Sequence, residues 1–216
     1  NHNYLFKQFS DYKEIFEEIE NLITNSDYTL GKSVDEFERN ICSLTGSRFA
    51  VGVGSGTDAL FLSLIAAGIK KGDEVITTPY TFYATIGAIV TAGAKPVFVD
   101  ICDDYNINTD LIVKAVTTRT KAIVPVHWSG LSCEMDMIMS IAEKDDLVVI
   151  EDACHAIKAT YKGKPTGTFG LTGCFSMHPL KNLNVWGDGG YVVTNSEEIH
   201  DNLVLLRNHG LVNRNE

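Results

Sequence analysis

The chain has 216 residues, with 18 Lys and Arg against 28 Asp and Glu, and so a formal charge of −10. A 44% hydrophobic and 21% charged content belongs to a folded globular domain, not to a disordered, collagen-like or low-complexity chain. The acidic balance, with Lys70-Lys71 as the one short basic pair, argues against a nucleic-acid platform, because neutralising phosphates takes clustered Lys and Arg.

The N-terminal stretch NHNYLFKQFSDYKE lacks the apolar core of a signal peptide. Nowhere do about 18 apolar residues run together, so no membrane partner is expected. Cys42, Cys102, Cys133, Cys154 and Cys174 are odd in number and scattered, and none forms a C-x-x-C pair. Free thiols in a reducing compartment are the simplest reading, with no metal site, and the expected location is the cytoplasm.

In chain order, Tyr12, Ile15, Phe16, Ile19, Leu22 and Ile23 repeat at helical spacing. A second helix is predicted from Ser33, where Ser33 and Glu36 match an S-x-x-E capping box ahead of Phe37, Ile41 and Leu44. Both helices are expected to lay one face on a core. Seven short runs rich in β-branched residues follow: FAVGV, EVITT, PVFVD, KAIVPV, LVVIE, GCFSM and YVVTN. Between most of them lie helical patterns over 57–68, 82–92, 109–116 and 134–144, with Thr109 and Ser196 as expected N-caps. Such alternation predicts an α/β fold, a mostly parallel sheet between two layers of helices, with ligands beyond the carboxyl ends of the strands. No linker or repeat interrupts it, and a single domain over 1–216 is expected, with N-terminal helices over 10–45 and the sheet and its helices over 46–216.

Three segments are candidates for chemistry. VGVGSGTDAL turns from strand to helix, and Gly54, Ser55 and Gly56 let the backbone approach a phosphate at the helix N-terminus. Gly54, Gly56 and Ala59 also fit a loose G-x-G-x-x-A dinucleotide fingerprint, and a plain glycine turn fits as well. A nicotinamide site calls for an acid at the end of the next strand, yet EVITTPY ends in Thr78, Pro79 and Tyr80. An NAD-dependent oxidoreductase is therefore a distant alternative. In LVVIEDACHA, Glu151 and Asp152 end an apolar strand and His155 follows; a carboxylate there suits a cationic ring nitrogen, or simply caps the next turn. In FSMHPLKNL, Ser176 and Lys181 leave a strand ahead of Gly187, Gly189 and Gly190. Alone, Lys181 reads as a surface lysine. Together the three segments meet the needs of pyridoxal phosphate: a phosphate anchor, a partner for the pyridine nitrogen and an amine.

At this point the sequence resembles the DegT/DnrJ/EryC1/StrS family of pyridoxal-phosphate aminotransferases, which act on nucleotide-linked keto-sugars and have the fold type I large domain. The resemblance runs from about Tyr28 to the last residues, through GSGTDAL, GDEVITTPYTFYAT, TKAIVPVHWSG, EDACHA and FSMHPLKNLNVWGDGG. It implies that Gly56, Thr57 and Ser176 hold the cofactor phosphate and that Phe82 stacks on the ring. Asp152 would meet the pyridine nitrogen, His155 would lie beside the ring hydroxyl, and Lys181 would be the Schiff-base lysine. It further implies ping-pong transfer of an amino group, usually from glutamate, in a homodimer with active sites at the interface. One branch of the family dehydrates its sugar with His in place of the lysine. Lys181 favours transamination, with a dehydratase or a non-catalytic pyridoxal-phosphate module as the alternative. Met177, His178 and Trp186 depart from the family's common residues and bear on the sugar pocket. Arg207, Asn208 and His209 are candidate nucleotide contacts, or equally a polar helix end with a dipole-compatible Arg. Family members are longer, so the smaller C-terminal domain is expected to be absent from this chain.

Overall fold

The computed structural model describes residues 5–211; positions 1–4 and 212–216, where the family resemblance ends, lie outside the described residues. A short helix α1 (Leu5–Gln8) precedes α2 (Tyr12–Thr24) and α3 (Lys32–Thr45). Strand and helix then alternate: β1 (Phe49–Val53), α4 (Gly56–Ala66), β2 (Glu74–Thr77), α5 (Tyr83–Thr91), β3 (Lys95–Phe98), α6 (Thr109–Ala115) and β4 (Thr120–Ile123). After α7 (Met135–Asp145) and β5 (Val148–Asp152), a two-strand hairpin of β6 (Thr160–Tyr161) and β7 (Lys164–Pro165) intervenes. The described chain closes with β8 (Thr172–Ser176), β9 (Gly190–Thr194) and α8 (Glu197–Arg207). The seven strands expected from sequence form one sheet in the order β1-β9-β8-β5-β4-β2-β3. Four pairings are parallel, and only β9 runs against its neighbours β1 and β8.

Alternation along each strand sends successive side chains to opposite faces and so builds the three layers. Val51, Val75, Ala122, Ile150, Cys174 and Val192 pack one face against α4, α5 and α8 through Leu60, Leu64, Ile89 and Leu203. Ile76, Ile123 and Val149 meet Ile112, Met135 and Ile138 of α6 and α7 on the other face. Further along that face, Ala50, Phe175, Tyr191 and Val193 pack with Ile41 of α3.

Three local expectations are corrected. Helix α3 starts at Lys32 with Gly31 as its N-cap, not at Ser33. The Asp27 carboxylate takes the amides of Lys32 and Ser33 and the Ser33 hydroxyl, so the Ser33–Glu36 capping box does not form. Asn108, not Thr109, caps α6 by accepting from the amides of Asp110 and Leu111. The expected buried face of α2 is also absent: none of its residues is buried, and Tyr12, Phe16, Ile19 and Ile23 stay exposed. Within its stripe the Phe16 ring stands edge-on to Trp186, in the loop after β8, at 5.6 Å. Ser196 caps α8 as expected, accepting from the Ile199 amide.

Glu74 opens β2 from a buried position. One carboxylate oxygen accepts from Arg119 at 2.8 Å and pairs with Lys95 at 3.4 Å, and the other accepts from the Thr117 hydroxyl at 2.6 Å. The Thr117 hydrogen bond, then Arg119, hold its acidity at about 2, against an ordinary 4.5. A depressed carboxylate stabilises the fold above its unfolded value and loses that contribution as pH falls through the folded one. The melting-temperature gap between the native chain and Glu74→Gln is therefore expected to be full at neutral pH and to close between pH 4.5 and about 2. A gap that stays constant on acidification would show that the ionised carboxylate is not the stabilising form.

Candidate active site

The site assembles at the carboxyl ends of β1, β5 and β8. After β1 the chain turns through Gly54 and Ser55 into α4, and Ser55 caps the helix by accepting from the Asp58 amide. The amides of Gly56 and Thr57 remain without a partner among the described residues, at the positive end of the helix. Because β9 is reversed, its first residue, Gly190, lies beside both Val53 and Ser176. A Cβ on Gly190 would stand 2.4 Å from the Ser55 carbonyl, and one on Gly56 would stand 2.7 Å from Ser176 Cβ. Two glycines thus let the start of α4 settle onto the ends of β8 and β9, against the Ser176 side chain.

Gly190→Ala meets backbone, which has no rotamer to change. Its expected cost is about 1–3 kcal/mol, the range for overpacking, with displacement of the α4 N-terminus. Thermal unfolding together with phosphate-ester binding measures both effects; a variant that keeps native stability and binding would mean that the close approach is dispensable.

Asp152 ends β5 at 5% exposure. One oxygen accepts from the Cys154 amide at 3.2 Å and the other from the Thr85 hydroxyl at 2.7 Å. The loop after β8 is closed on itself: the Met177 amide donates to the Gly189 carbonyl, and the Val185 amide to the Met177 carbonyl. Within it, Asn184 Nδ2 donates to the Lys181 carbonyl at 2.8 Å and fixes the lysine's backbone. A cavity of about 210 Å³ is lined by Lys181, His155, Ser176, Cys154 and Tyr191, among others. Burial, then the nearby Lys181 ammonium, push His155 below its ordinary value against the opposing pull of Asp152, so its ring is neutral at pH 7.

Of the site residues expected from sequence, His155, Ser176 and Lys181 share that cavity. Gly56 abuts Ser176, and Asp152 lies within electrostatic reach of His155. Thr57 is exposed one residue into α4. Phe82 is 56% exposed at the N-cap of α5 and does not line the cavity. The candidate nucleotide contact Arg207 is instead engaged within the fold, pairing with Glu38 and donating to the Gly52 carbonyl at 3.3 Å. Three participants were not singled out from sequence: Thr85, the fully buried His127 that bonds Glu151, and Tyr191, whose buried hydroxyl has no partner among the described residues. Thr85 and His127 do lie in the quoted blocks GDEVITTPYTFYAT and TKAIVPVHWSG, but their partners are far away in sequence.

This architecture is the α/β fold of fold type I pyridoxal-phosphate aminotransferases. The chain belongs to the DegT/DnrJ/EryC1/StrS aminotransferase family, whose pattern matches residues 10–216. It is 46% identical over 198 residues to a UDP-N-acetyl-3-dehydro-alpha-D-glucosamine 3-aminotransferase of Acidithiobacillus ferrooxidans, covering 91% of this chain and 54% of that protein. Among solved structures it is similar to DesV of S. venezuelae in complex with a ketimine intermediate, with a TM-score of 0.94 and 36% identity over 98% of this chain and 58% of that one. NtdA of Bacillus subtilis with bound cofactor PMP matches with a TM-score of 0.86 and 33% identity over 91% of this chain and 44% of that one. The chain spans about half the length of the curated relatives it matches.

Proposed function

We propose that this chain is the cofactor-binding large domain, over 1–216, of an aminotransferase that moves an amino group from glutamate to a keto-sugar carried on a nucleotide diphosphate. The observation that carries the reading is the convergence of a phosphate-type helix start, a strand-end carboxylate and a lysine on one site. The fit to pyridoxal phosphate rests on the cradle at Gly56, which a Cβ would fill, and on the Gly56 and Thr57 amides, which have no partner among the described residues. When bound, the cofactor supplies an aldehyde carbon that exchanges amines and a cationic ring that accepts an electron pair.

The amides of Gly56 and Thr57, with the hydroxyls of Thr57 and Ser176, would hold the phosphate without a basic patch. Asp152 would face the ring nitrogen, and an ionised carboxylate there keeps that nitrogen protonated. Phe82 is available to cover the ring. A neutral His155 can donate a hydrogen to the ring oxygen while leaving the net charge unchanged. Lys181 Nζ would attach the cofactor and, once released, move the proton at the donor's α-carbon.

Exposed Tyr83, Leu180 and Phe82, at 75%, 70% and 56%, support a homodimer in which a second copy covers the open side of the site. No helix among the described residues is long and apolar enough to cross a membrane; the place of action proposed is the cytoplasm.

The test is direct. Mixed with pyridoxal phosphate, the chain should give a visible absorption band that borohydride removes, leaving a pyridoxyl mass on the Lys181 peptide, and glutamate should convert the band to the amino form. An adduct on another lysine overturns the site assignment. Tight NADH binding with no adduct would favour an oxidoreductase.

A further inference from the structure

Asp152 reaches its position through a strand, but a strand end does not fix a carboxylate's rotation. What fixes it comes from another element. Thr85, in the first turn of α5, is 1% exposed, and its hydroxyl lies 2.7 Å from Asp152 Oδ2. The Thr81 hydroxyl lies 2.8 Å from that of Thr85. An ionised carboxylate only accepts, so Thr85 must donate to Asp152, and its oxygen is then free to accept from Thr81. The chain of donors therefore runs one way, from Thr81 through Thr85 to Asp152. The second oxygen, Oδ1, accepts the Cys154 amide at 3.2 Å, so both oxygens are held and the carboxylate plane is set. The Thr85 amide in turn donates to the carbonyl of Phe82 at 3.1 Å, so a single helical turn joins Asp152 to the residue proposed to cover the ring.

We propose that Thr85 is a positioning residue: its hydroxyl sets the direction of the Asp152 carboxylate, and with it the strength with which the site holds a protonated pyridine-type nitrogen. The inference rests on the cofactor reading above and adds to it a residue that need not touch the cofactor. Among the described residues the titratable groups that feel Asp152 are His155, Cys133, Cys154 and Cys174, and Lys181 acts on the same His155 and Cys154. None of these occupies the Oδ2 position that Thr85 holds.

Pyridoxal-phosphate affinity and the absorption maximum of the Lys181 adduct are measured for the native chain, Thr85→Val, Thr85→Ser, Asp152→Asn and the double variant Thr85→Val/Asp152→Asn. Valine keeps the shape of threonine and removes the donor; serine keeps the donor. Thr85→Val is expected to weaken binding about tenfold, the scale of one hydrogen bond to a charged group, and to shift the absorption maximum. Thr85→Ser should restore both, and in the Asp152→Asn background Thr85→Val should add nothing. The proposal is overturned if valine binds as the native chain does, if serine fails as valine does, or if the loss persists undiminished without the Asp152 carboxylate. A native chain with no adduct at Lys181 overturns the cofactor reading and this proposal together, whereas a native adduct with an inert Thr85 overturns this proposal alone.

Discussion

The Lys181→Ala chain is expected to lose the borohydride-fixed pyridoxyl mass while still taking up pyridoxal phosphate reversibly. The proposed anchoring groups at Gly56, Thr57 and Ser176 belong to other elements and do not depend on the lysine side chain. Its glutamate-dependent conversion to the amino form should fall by roughly 100- to 10,000-fold, the usual worth of a positioned acid–base group. Stopped-flow absorbance measures the conversion, and peptide mass spectrometry locates the adduct. A small primary amine added in solution should restore part of the rate, because the cavity beside His155 and Ser176 is left vacant by the shortened side chain. If the Ala chain carries the adduct on another lysine at full rate, the catalytic role of Lys181 is wrong.

The largest expected effect on stability falls at Glu151, the neighbour of Asp152, whose side chain points to the opposite face of β5. Its carboxylate is fully buried and receives four donors. Oε1 accepts the amides of Phe169 and Gly170, each at 2.7 Å; Oε2 accepts the Gly167 amide at 2.7 Å and lies 3.0 Å from His127 Nε2. The Cys133 amide donates to His127 Nδ1 at 3.1 Å, which puts the ring proton on Nε2, directed at Glu151. The network pins the 167–170 turn and the segment after β4 to the strand that carries Asp152. Glu151→Ala leaves four buried donors unmatched, and with an unmatched buried donor costing about 1–3 kcal/mol a loss of about 3–5 kcal/mol is expected, equivalent to roughly 6–20 °C in melting temperature at about 2–4 °C per kcal/mol for a chain of this size.

Glu151→Gln, though nearly isosteric, is expected to be almost as damaging. Whichever end its NH₂ occupies, that group faces two donors. Chemical denaturation of the two variants tests this: a glutamine variant as stable as the native chain would mean that water or rearrangement satisfies those donors.

Much of the fold was legible because the chain's periodicities match its elements. Each apolar run became a strand of the main sheet, and the glycine turn at 54–56 opened a helix. The failures were local and physical. The Ser33–Glu36 pattern was a sound capping box until Asp27, six residues before Ser33, took the Ser33 amide that Glu36 would have bound and engaged the Ser33 hydroxyl. The stripe of α2 carried a helical period, but periodicity reports a face and not whether anything covers it. Arg207 was a candidate nucleotide contact from sequence, yet Glu38 of α3 holds it from 169 residues away.

The same division holds for the site. Sequence alone determined which residue types were available and that they lie at strand ends: Asp152 after an apolar run, Lys181 in a glycine-bounded loop, Gly56 at a helix start. The net charge of −10 is compatible with a cofactor phosphate held by backbone amides and hydroxyls without a basic patch. Tertiary structure decided how those groups are aimed. Because β9 runs against the sheet, Gly190 comes under the start of α4, and because β2 and β4 are neighbours while β5 flanks β4, Thr85 of α5 reaches Asp152 of β5. Hydrogen bonds between residues 67 and 24 positions apart, Thr85 to Asp152 and His127 to Glu151, leave no periodic trace in a sequence. They depend on which strands lie side by side, and burial makes their geometry decisive, since in the low-dielectric interior an unmatched donor or acceptor has no water to turn to.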